Sequence, residues 1–166
     1  AWNIFIEYFQ DLNSNGSIGG DVLESMVQFL FSCMGFIAIR LNEMNRKKKG
    51  ERMVNIRYLS CDLLIIDPRT GYIFTVNCTA SLDIQSDINK TYRVANILRN
   101  KVLNNKFKLI PLVIASAIDS PNIHNQGVVI LTRNDLIELL RLILNGMIFD
   151  AQSYFYTIIK NYGYRK

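Results

Sequence analysis

The residue in this sequence that most needs a chemical explanation is Asp62. It follows Cys61 and precedes the apolar run Leu63-Leu64-Ile65-Ile66, so it interrupts a stretch that is otherwise typical of a protein core. A carboxylate in such surroundings is costly to bury unless another group bonds to it. Two interpretations stay open: Asp62 has a chemical role, or it is an ordinary residue at the edge of a strand.

A second carboxylate, Glu24, stands where helix capping can explain it. It comes three residues after Asp21, at the start of an apolar stretch with helical spacing, and this is the arrangement of a capping box. Asp67 precedes Pro68-Arg-Thr-Gly71 and is interpreted as a turn-initiating residue whose side chain bonds to nearby backbone amides. Glu24 therefore has a structural explanation that competes with any chemical one.

Positive charge is densest in residues 46–52 (RKKKGER), within a chain of net charge +5. The cations of this run are Arg46, Lys47, Lys48, Lys49 and Arg52. They form either a solvated loop or a set of phosphate contacts, which would be non-specific and sensitive to salt. Lys90 and Arg93 open a later amphipathic segment, where they are either its solvated face or further functional cations.

Several classes of site are excluded by composition. The three cysteines, Cys33, Cys61 and Cys78, are widely spaced without a CxxC pair, which gives neither a disulfide framework nor a zinc site and favours a reducing compartment. The chain has a single histidine, His124, which excludes a multi-histidine metal site. It also leaves little basis for hydrolysis by a Ser-His-Asp triad. No apolar run approaches the ~20 residues of a membrane span, so we expect no membrane contact. The expected reducing compartment predicts an intracellular protein.

The elements that would position these residues follow from apolar periodicity and from turn residues. Helices are predicted over 2–12, from Asp21 to the stop at Gly35, over 86–104, over 136–144 with Asn134 or Asp135 as its cap, and over about 150–162. Strands are predicted over 36–41, within 54–67, and over 72–79, 109–115 and 128–131.

This order predicts an α/β fold with a mixed central sheet of about five strands flanked by helices, because a hairpin is followed by strand–helix crossovers. We expect a single domain over 1–166, with a core at about 19–144 and a helical appendage at 145–166. Because the chain begins with Ala rather than Met, we expect it to be a piece of a longer protein.

Four landmarks share the order of one superfamily. They are Gly20-Asp-Val-Leu-Glu24 before Gly35-Phe36, Asp62 in CDLLIID, the Pro68–Gly71 turn, and Thr75-Val-Asn-Cys-Thr79. With the downstream PLVIA and VVILTRNDLIELL, they resemble the PD-(D/E)xK restriction-endonuclease-like proteins, in particular type IV restriction enzymes and archaeal Holliday-junction resolvases. The resemblance covers roughly residues 19–144 and implies a restriction-endonuclease-like fold.

Cleavage of the kind that this family performs needs carboxylates that hold a divalent metal against the phosphate, with a lysine beside them. The resemblance places Asp62 at the metal-binding Asp and Glu24 at the helical Glu that often adds a ligand. Asn77 stands where the second acid is expected, and Thr79 stands where the lysine is expected. In some members of this family the lysine comes from the following helix, and Lys90 at the start of that helix is the one residue that restores the missing charge in this way.

The resemblance therefore implies a nuclease fold with a degenerate site, and we expect no catalysis and no cofactor. The leading hypothesis is a module that binds nucleic acid, DNA in particular, or that serves as an assembly domain for protein partners. One alternative is an active Mg²⁺-dependent endonuclease that uses Asp62, Asn77 and Lys90. Another is a purely structural subunit of a larger assembly. The helix at 136–144 is expected either to pack on the C-terminal helix or to form, with that helix, a homodimer interface.

Overall fold

A computed structural model describes residues 20–41, 61–102, 108–119 and 127–163, together with helical Asn3, Ile6, Glu7 and Gln10. The four helices of the main ranges are α1 (Gly20–Cys33), α2 (Gln85–Ile97), α3 (Arg133–Leu144) and α4 (Ile148–Gly163). The five strands are β1 (Ile37–Arg40), β2 (Leu63–Ile66), β3 (Tyr72–Thr79), β4 (Lys108–Ala115) and β5 (Val129–Thr132). The predicted α/β class is confirmed.

The sheet is open and mixed, and its strands lie side by side in chain order. The pairs β1–β2 and β2–β3 are antiparallel, whereas β3–β4 and β4–β5 are parallel. Thr79, Ala115 and Thr132 therefore end three parallel strands at one edge of the sheet, which we call the carboxyl edge. The pairing of Arg40 with Leu63, and of Leu63 with Val76, brings the end of β1 and the start of β2 to the same edge.

Helices cover both faces of this sheet, as predicted. The face against α1, α3 and α4 holds the main core, in which Phe31, Phe74 and Phe155 are fully buried. Helix α2 covers the other face, where two smaller apolar clusters form around Val113 and around Leu109. Because α2 connects the parallel strands β3 and β4, it must cross over the sheet and return to the edge where β4 begins.

The leucine-rich helix α3 packs within the chain. Its buried residues, Leu136, Leu139, Leu140, Leu142 and Ile143, join the main core. It lies against α4, whose Phe155 belongs to the same core, so the predicted packing of these two helices is confirmed. The homodimer remains a prediction. Within the described ranges, none of the helices has the length and apolar character needed to span a membrane.

Two local predictions need correction. The N-cap of α3 is Thr132 rather than Asn134 or Asp135, because the Thr132 side chain accepts a bond from the Asp135 amide and Asp135 bonds back in a capping box. The predicted helix 86–104 is α-helical only over Gln85–Ile97 and continues as a π-helical turn, Leu98–Val102.

The Pro68–Gly71 turn forms as predicted. The Asp67 carboxylate accepts a hydrogen bond from the backbone N–H of Arg69 at 3.0 Å. It also accepts one from the Tyr156 hydroxyl of α4, which ties the turn to the helix layer. Burial raises the pKa of Asp67, but the hydrogen bonds from Tyr156 and Arg69 outweigh burial, and the net shift is downward. This network lies at the edge opposite the carboxyl edge and has a structural role.

Candidate functional site

The β2–β3 hairpin and the start of α2 bring the sequence-predicted residues to the carboxyl edge. Asp62 comes immediately before β2, Asn77 and Thr79 lie in the second half of β3, and Lys90 lies in the first half of α2. The backbone N–H of Asp62 donates to the Val76 carbonyl at 2.9 Å, so Asp62 extends the hairpin by one position. The bonds of each side chain show whether these residues form a catalytic or metal-binding site.

Asp62 is half-buried and its carboxylate bonds to the neighbouring strand. Its Oδ2 accepts a hydrogen bond from the backbone N–H of Cys78 at 2.8 Å. Its backbone carbonyl accepts from the Leu41 N–H at 3.0 Å, which links the residue to β1 as well. Asp62 therefore joins β1, β2 and β3 at the carboxyl edge, and one of its carboxylate oxygens is committed to that task.

The amide of Asn77 points away from α1 and into the layer beneath α2. The side chain is 1% exposed, and its Nδ2 donates to the Thr91 hydroxyl at 2.7 Å. That hydroxyl in turn donates to the carbonyl of Asp87 at 2.6 Å. The Asn77 amide thus anchors α2 to β3. Its Oδ1, like Thr75 Oγ1, is buried with no hydrogen-bond partner among the described residues.

Thr79 ends its strand. Its hydroxyl accepts from the backbone N–H of Ser81 at 3.1 Å, which turns the chain out of β3. Its carbonyl accepts from the Ser116 N–H at 3.0 Å, which continues the pairing with β4 by one residue. The side chain that stands in the place of the expected lysine is therefore used to terminate a strand.

Glu24 forms a buried ion pair, and Asp21 lies inside the helix, which begins at Gly20, so Asp21 is not the N-cap of the predicted capping box. Its Oε2 accepts from Nη2 of Arg40 at 2.8 Å, and the two side chains are only 8% and 7% exposed. The guanidinium also contacts Asp21 Oδ1 at 3.3 Å and donates to Ser25 Oγ at 2.9 Å. The helix begins at Gly20, so Asp21 and Glu24 both lie within its first two turns and face the end of β1.

The electrostatics of Cys78 show how these charges are arranged. Burial raises the pKa of its thiol well above the usual value, and the carboxylates of Asp62 and Glu24 raise it further, while Arg40 opposes them. The two candidate acids and the arginine therefore all act electrostatically on one side chain of β3. A thiol whose pKa is raised in this way is protonated at neutral pH and is a poor nucleophile.

Lys90 reaches the same neighbourhood from the other face of the sheet. Burial raises the pKa of Cys61 to about 11, Asp62 raises it too, and the charge of Lys90 lowers it. Lys90 is half-buried, whereas Arg93 is exposed on the outer side of α2. Lys90 also directly precedes Thr91, which bonds to Asn77, whereas Arg93 is open to solvent.

The cations predicted to contact nucleic acid fall in two groups. Arg93 is within the described ranges, and Arg46, Lys47, Lys48, Lys49 and Arg52 lie outside them.

Sequence reasoning missed three residues that shape the site: Arg40, Asp87 and Thr91. Arg40 carried no signal in the sequence, because the period of two in residues 36–41 places it opposite Ile37 and Ile39, and these two isoleucines are exposed in the structure although their type favours the core.

The residues at the carboxyl edge do not fit the magnesium ion that the family resemblance implies. Such an ion needs oxygen ligands that converge on one point. Glu24 is turned to Arg40, one oxygen of Asp62 is bonded to the Cys78 amide, and Asn77 lies beneath α2. In the part of the chain that the structure describes, no three His, Cys, Asp or Glu side chains are grouped so as to hold a metal.

No protein-family model matches the chain, and no curated protein or solved structure shows a significant match to it.

Proposed function

We propose that this chain is a nucleic-acid-binding module on a nuclease-like α/β fold, and that it does not cleave. One observation carries the proposal: the positions that metal-dependent cleavage requires are each committed to bonds within the protein. Glu24 holds Arg40, Asp62 holds the Cys78 amide, and Asn77 holds Thr91. The order of helix, antiparallel hairpin, crossover helix and parallel strand supports a nuclease-like origin.

The chemistry of cleavage explains why these bonds matter. Two carboxylates must place a divalent ion against the scissile phosphate, and the ion must be free to bridge them to the substrate. A guanidinium within hydrogen-bond distance of Glu24 supplies a positive charge that cannot perform this task, because it offers no open coordination position. An amide at position 77 brings no charge, and a hydroxyl at position 79 cannot stabilise a developing negative charge as an ammonium does.

The distribution of cations supports binding. The chain carries a net charge of +5, the run at 46–52 follows β1, and β1 ends at the carboxyl edge. Arg93 is exposed on α2. If Arg93 and the five cations of the run each neutralise one phosphate, the logarithm of the binding constant should fall with the logarithm of salt concentration with a slope of about −5.

The binding proposal is tested by measuring the fluorescence anisotropy of a labelled duplex DNA over a range of salt concentrations. The variant K47Q/K48Q/K49Q should lose affinity and reduce the slope by about 3. The matched control K101Q/K108Q/K160Q removes three exposed lysines from the opposite edge of the sheet and from α4, and it should retain the slope. An equal effect of both variants, or no retention of DNA by the unaltered protein at low salt, overturns the proposal.

A second candidate function, Mg²⁺-dependent cleavage, is favoured by one observation. Lys90 directly precedes Thr91, to which Asn77 bonds, and its charge also acts on the thiol of Cys61, which is next to Asp62 in the chain. The paired substitutions Lys90→Met and Lys160→Met each remove one cation, the second from the exposed side of α4. Nicking of plasmid DNA that K90M abolishes and K160M leaves intact would establish this second function in place of the first.

A further inference from the structure

We propose that a cavity between α2 and the start of β4 is a binding site for one unpaired base of a nucleic-acid strand. The cavity has a volume of about 180 Å³, and it lies at the edge of the sheet where β4 begins, away from the carboxyl edge. The inference rests on the proposed function and deepens it, because it names the form of nucleic acid that the module holds: a single strand or a locally opened duplex.

The cavity exists because β5 is shorter than β4. Strand β4 begins at Lys108, but its pairing with β5 starts only at Leu112. Residues 109–111 therefore form a wall of the cavity, and Gly127, just before β5, borders it. A Cβ at Gly127 would lie 3.7 Å from Cε2 of Tyr92, and the φ of 80° at this position favours glycine. The chain thus passes close to the tyrosine ring with no side chain of its own between them.

The helical side of the cavity carries hydrogen-bond donors. Asn96 and Arg99 line it together with Tyr92, and their spacing of three and four residues places all three on one side of the helical segment. The Arg99 guanidinium is held in place, because Nη1 donates to Asn96 Oδ1 at 3.2 Å and Nη2 donates to the Leu109 carbonyl at 2.7 Å. A guanidinium has five N–H donors, so these two bonds leave others for a ligand, and Nδ2 of Asn96 is a further donor.

The ring of Tyr92 supplies an aromatic surface to the same cavity. Its side chain is 46% exposed, whereas Ile88 and Ala95, at helical spacing from it, are buried. The strand side of the cavity, residues 109–111, is apolar in its side chains. The cavity therefore combines an accessible ring and apolar walls with a fixed cation.

These features fit a flat ring that bears acceptors. Every base carries ring nitrogens or carbonyl oxygens that accept hydrogen bonds and an aromatic face that stacks on a ring. A free phosphate would use the donors of Arg99 and Asn96 but not the ring of Tyr92. None of the described residues that line the cavity is acidic, so none of them would repel a strand that carries phosphates.

The size of the cavity and the charge beside it agree with this ligand. Drug-sized ligands occupy pockets of roughly 300–1,000 Å³, and the smaller cavity fits a single base. Arg93 is exposed and adjoins Tyr92 in the chain, which supplies a cation for a neighbouring phosphate. A base inside an intact duplex is stacked and paired, so the ligand must be an unpaired one.

The test compares two short fluorescein-labelled probes at low salt: a DNA strand of mixed sequence, and a strand of the same length whose nucleotides all lack their bases. Fluorescence anisotropy gives the affinity for each probe. The unaltered protein should bind the strand with bases about tenfold more tightly than the abasic strand, because stacking on one aromatic side chain contributes on this scale. Tyr92→Ala should abolish the preference, and Tyr92→Phe, which keeps the ring, should retain it.

The matched control is Phe149→Ala, which removes an aromatic side chain that is 81% exposed in the first turn of α4. F149A should keep the preference for bases. Equal affinity of the unaltered protein for both probes overturns the inference, and so does a preference that survives in Y92A or that F149A abolishes as well. If Y92A does not fold by circular dichroism, Arg99→Met takes its place in the same comparison, with the same expected loss.

The outcome is distinguishable from that of the duplex experiment. If duplex binding depends on Lys47, Lys48 and Lys49 while both strand probes bind equally, the inference fails and the proposed function stands. If the unaltered protein retains neither duplex nor strand at low salt, the proposed function fails and the inference fails with it.

Discussion

The substitution Asn77→Asp tests the account of the degenerate site most sharply, because it restores the acid that the nuclease motif requires. The structure predicts that the change destabilises the protein and restores no activity. Asn77 is 1% exposed and donates to a hydroxyl whose own proton is already given to the Asp87 carbonyl. A carboxylate at this position would face the lone pairs of Thr91 and would be buried without a cation.

The magnitude follows from two contributions. Loss of the amide hydrogen bond costs about 1 kcal/mol. Burying a carboxylate that faces the lone pairs of the Thr91 hydroxyl, and so has no donor, adds roughly 2 kcal/mol. The sum, about 3 kcal/mol, corresponds to a fall of roughly 10 °C in Tm for a chain of this size. Because burial raises the pKa of the introduced carboxyl, the folded state holds its proton more tightly than the unfolded state. The loss of stability should therefore be largest at neutral pH and shrink as the pH falls toward about 4.

Urea unfolding at pH 7 and at pH 4.5 measures this effect. The control Asn77→Leu has a similar size, carries no charge and removes the unpartnered Oδ1 together with the amide, so it should cost clearly less than N77D at pH 7 and show little dependence on pH. The reasoning is refuted if N77D is as stable as the unaltered protein at pH 7. It is refuted equally if N77D acquires Mg²⁺-dependent nicking of DNA.

Three further predictions concern the packing around the site. Tyr156→Phe removes a donor from the fully buried Asp67 and should cost about 2 kcal/mol in urea unfolding at pH 7. The bonds from Tyr156 and Arg69 lower the pKa of Asp67 in the folded protein. Their contribution to stability is therefore complete above the unfolded pKa of about 3.9 and is lost as the pH falls through the lower folded pKa. A stability difference between Y156F and the unaltered protein that persists unchanged at pH 2 would contradict this prediction. Thr132→Ala breaks the capping box of α3 and should lower the free energy of unfolding by about 1 kcal/mol, whereas no change would mean that the cap is not needed. Burial raises the pKa of Cys61 to about 11, so an aromatic disulfide reagent at pH 8 should modify this thiol only at the rate of unfolding. Peptide mapping separates it from the partly buried Cys33 and Cys78, and rapid modification of Cys61 itself in the folded protein would refute its burial.

The elements of this fold were largely predictable from local patterns. Strand β3 begins and ends at the predicted residues, Tyr72 and Thr79, because an apolar run of high β propensity lies between a turn and a polar segment. Gly35 ends α1 as predicted and adopts a φ of 86°, a conformation that favours glycine. Periodicity and turn chemistry act over a few residues, so they are visible in one sequence.

The partners of the polar side chains were not predictable in the same way. Alternation shows that Thr75, Asn77 and Thr79 share a face, but only the crossover of α2 decides that this face meets Thr91. The pair Glu24–Arg40 joins a helix to a strand 16 residues later, and Glu24 has an equally good local explanation as a cap. Asn134 and Asp135 were the predicted caps of α3, but β5 ends at Thr132 and the helix begins at the next residue, so Thr132 is the N-cap. At the carboxyl edge too, the contacts determine what each polar residue does, and these contacts join residues that are distant in the sequence.

The central claim, binding without metal-dependent cleavage, is tested most directly by one measurement on supercoiled plasmid. The protein is incubated with the plasmid in Mg²⁺, in Mn²⁺ and in EDTA at low salt, and both the retained DNA and its topology are analysed on gels. The account predicts that DNA is retained under all three conditions, less strongly where Mg²⁺ or Mn²⁺ competes for the phosphates, and that the plasmid stays supercoiled in each. Nicked or linear product that requires Mg²⁺ or Mn²⁺ and disappears with Asp62→Ala would contradict it.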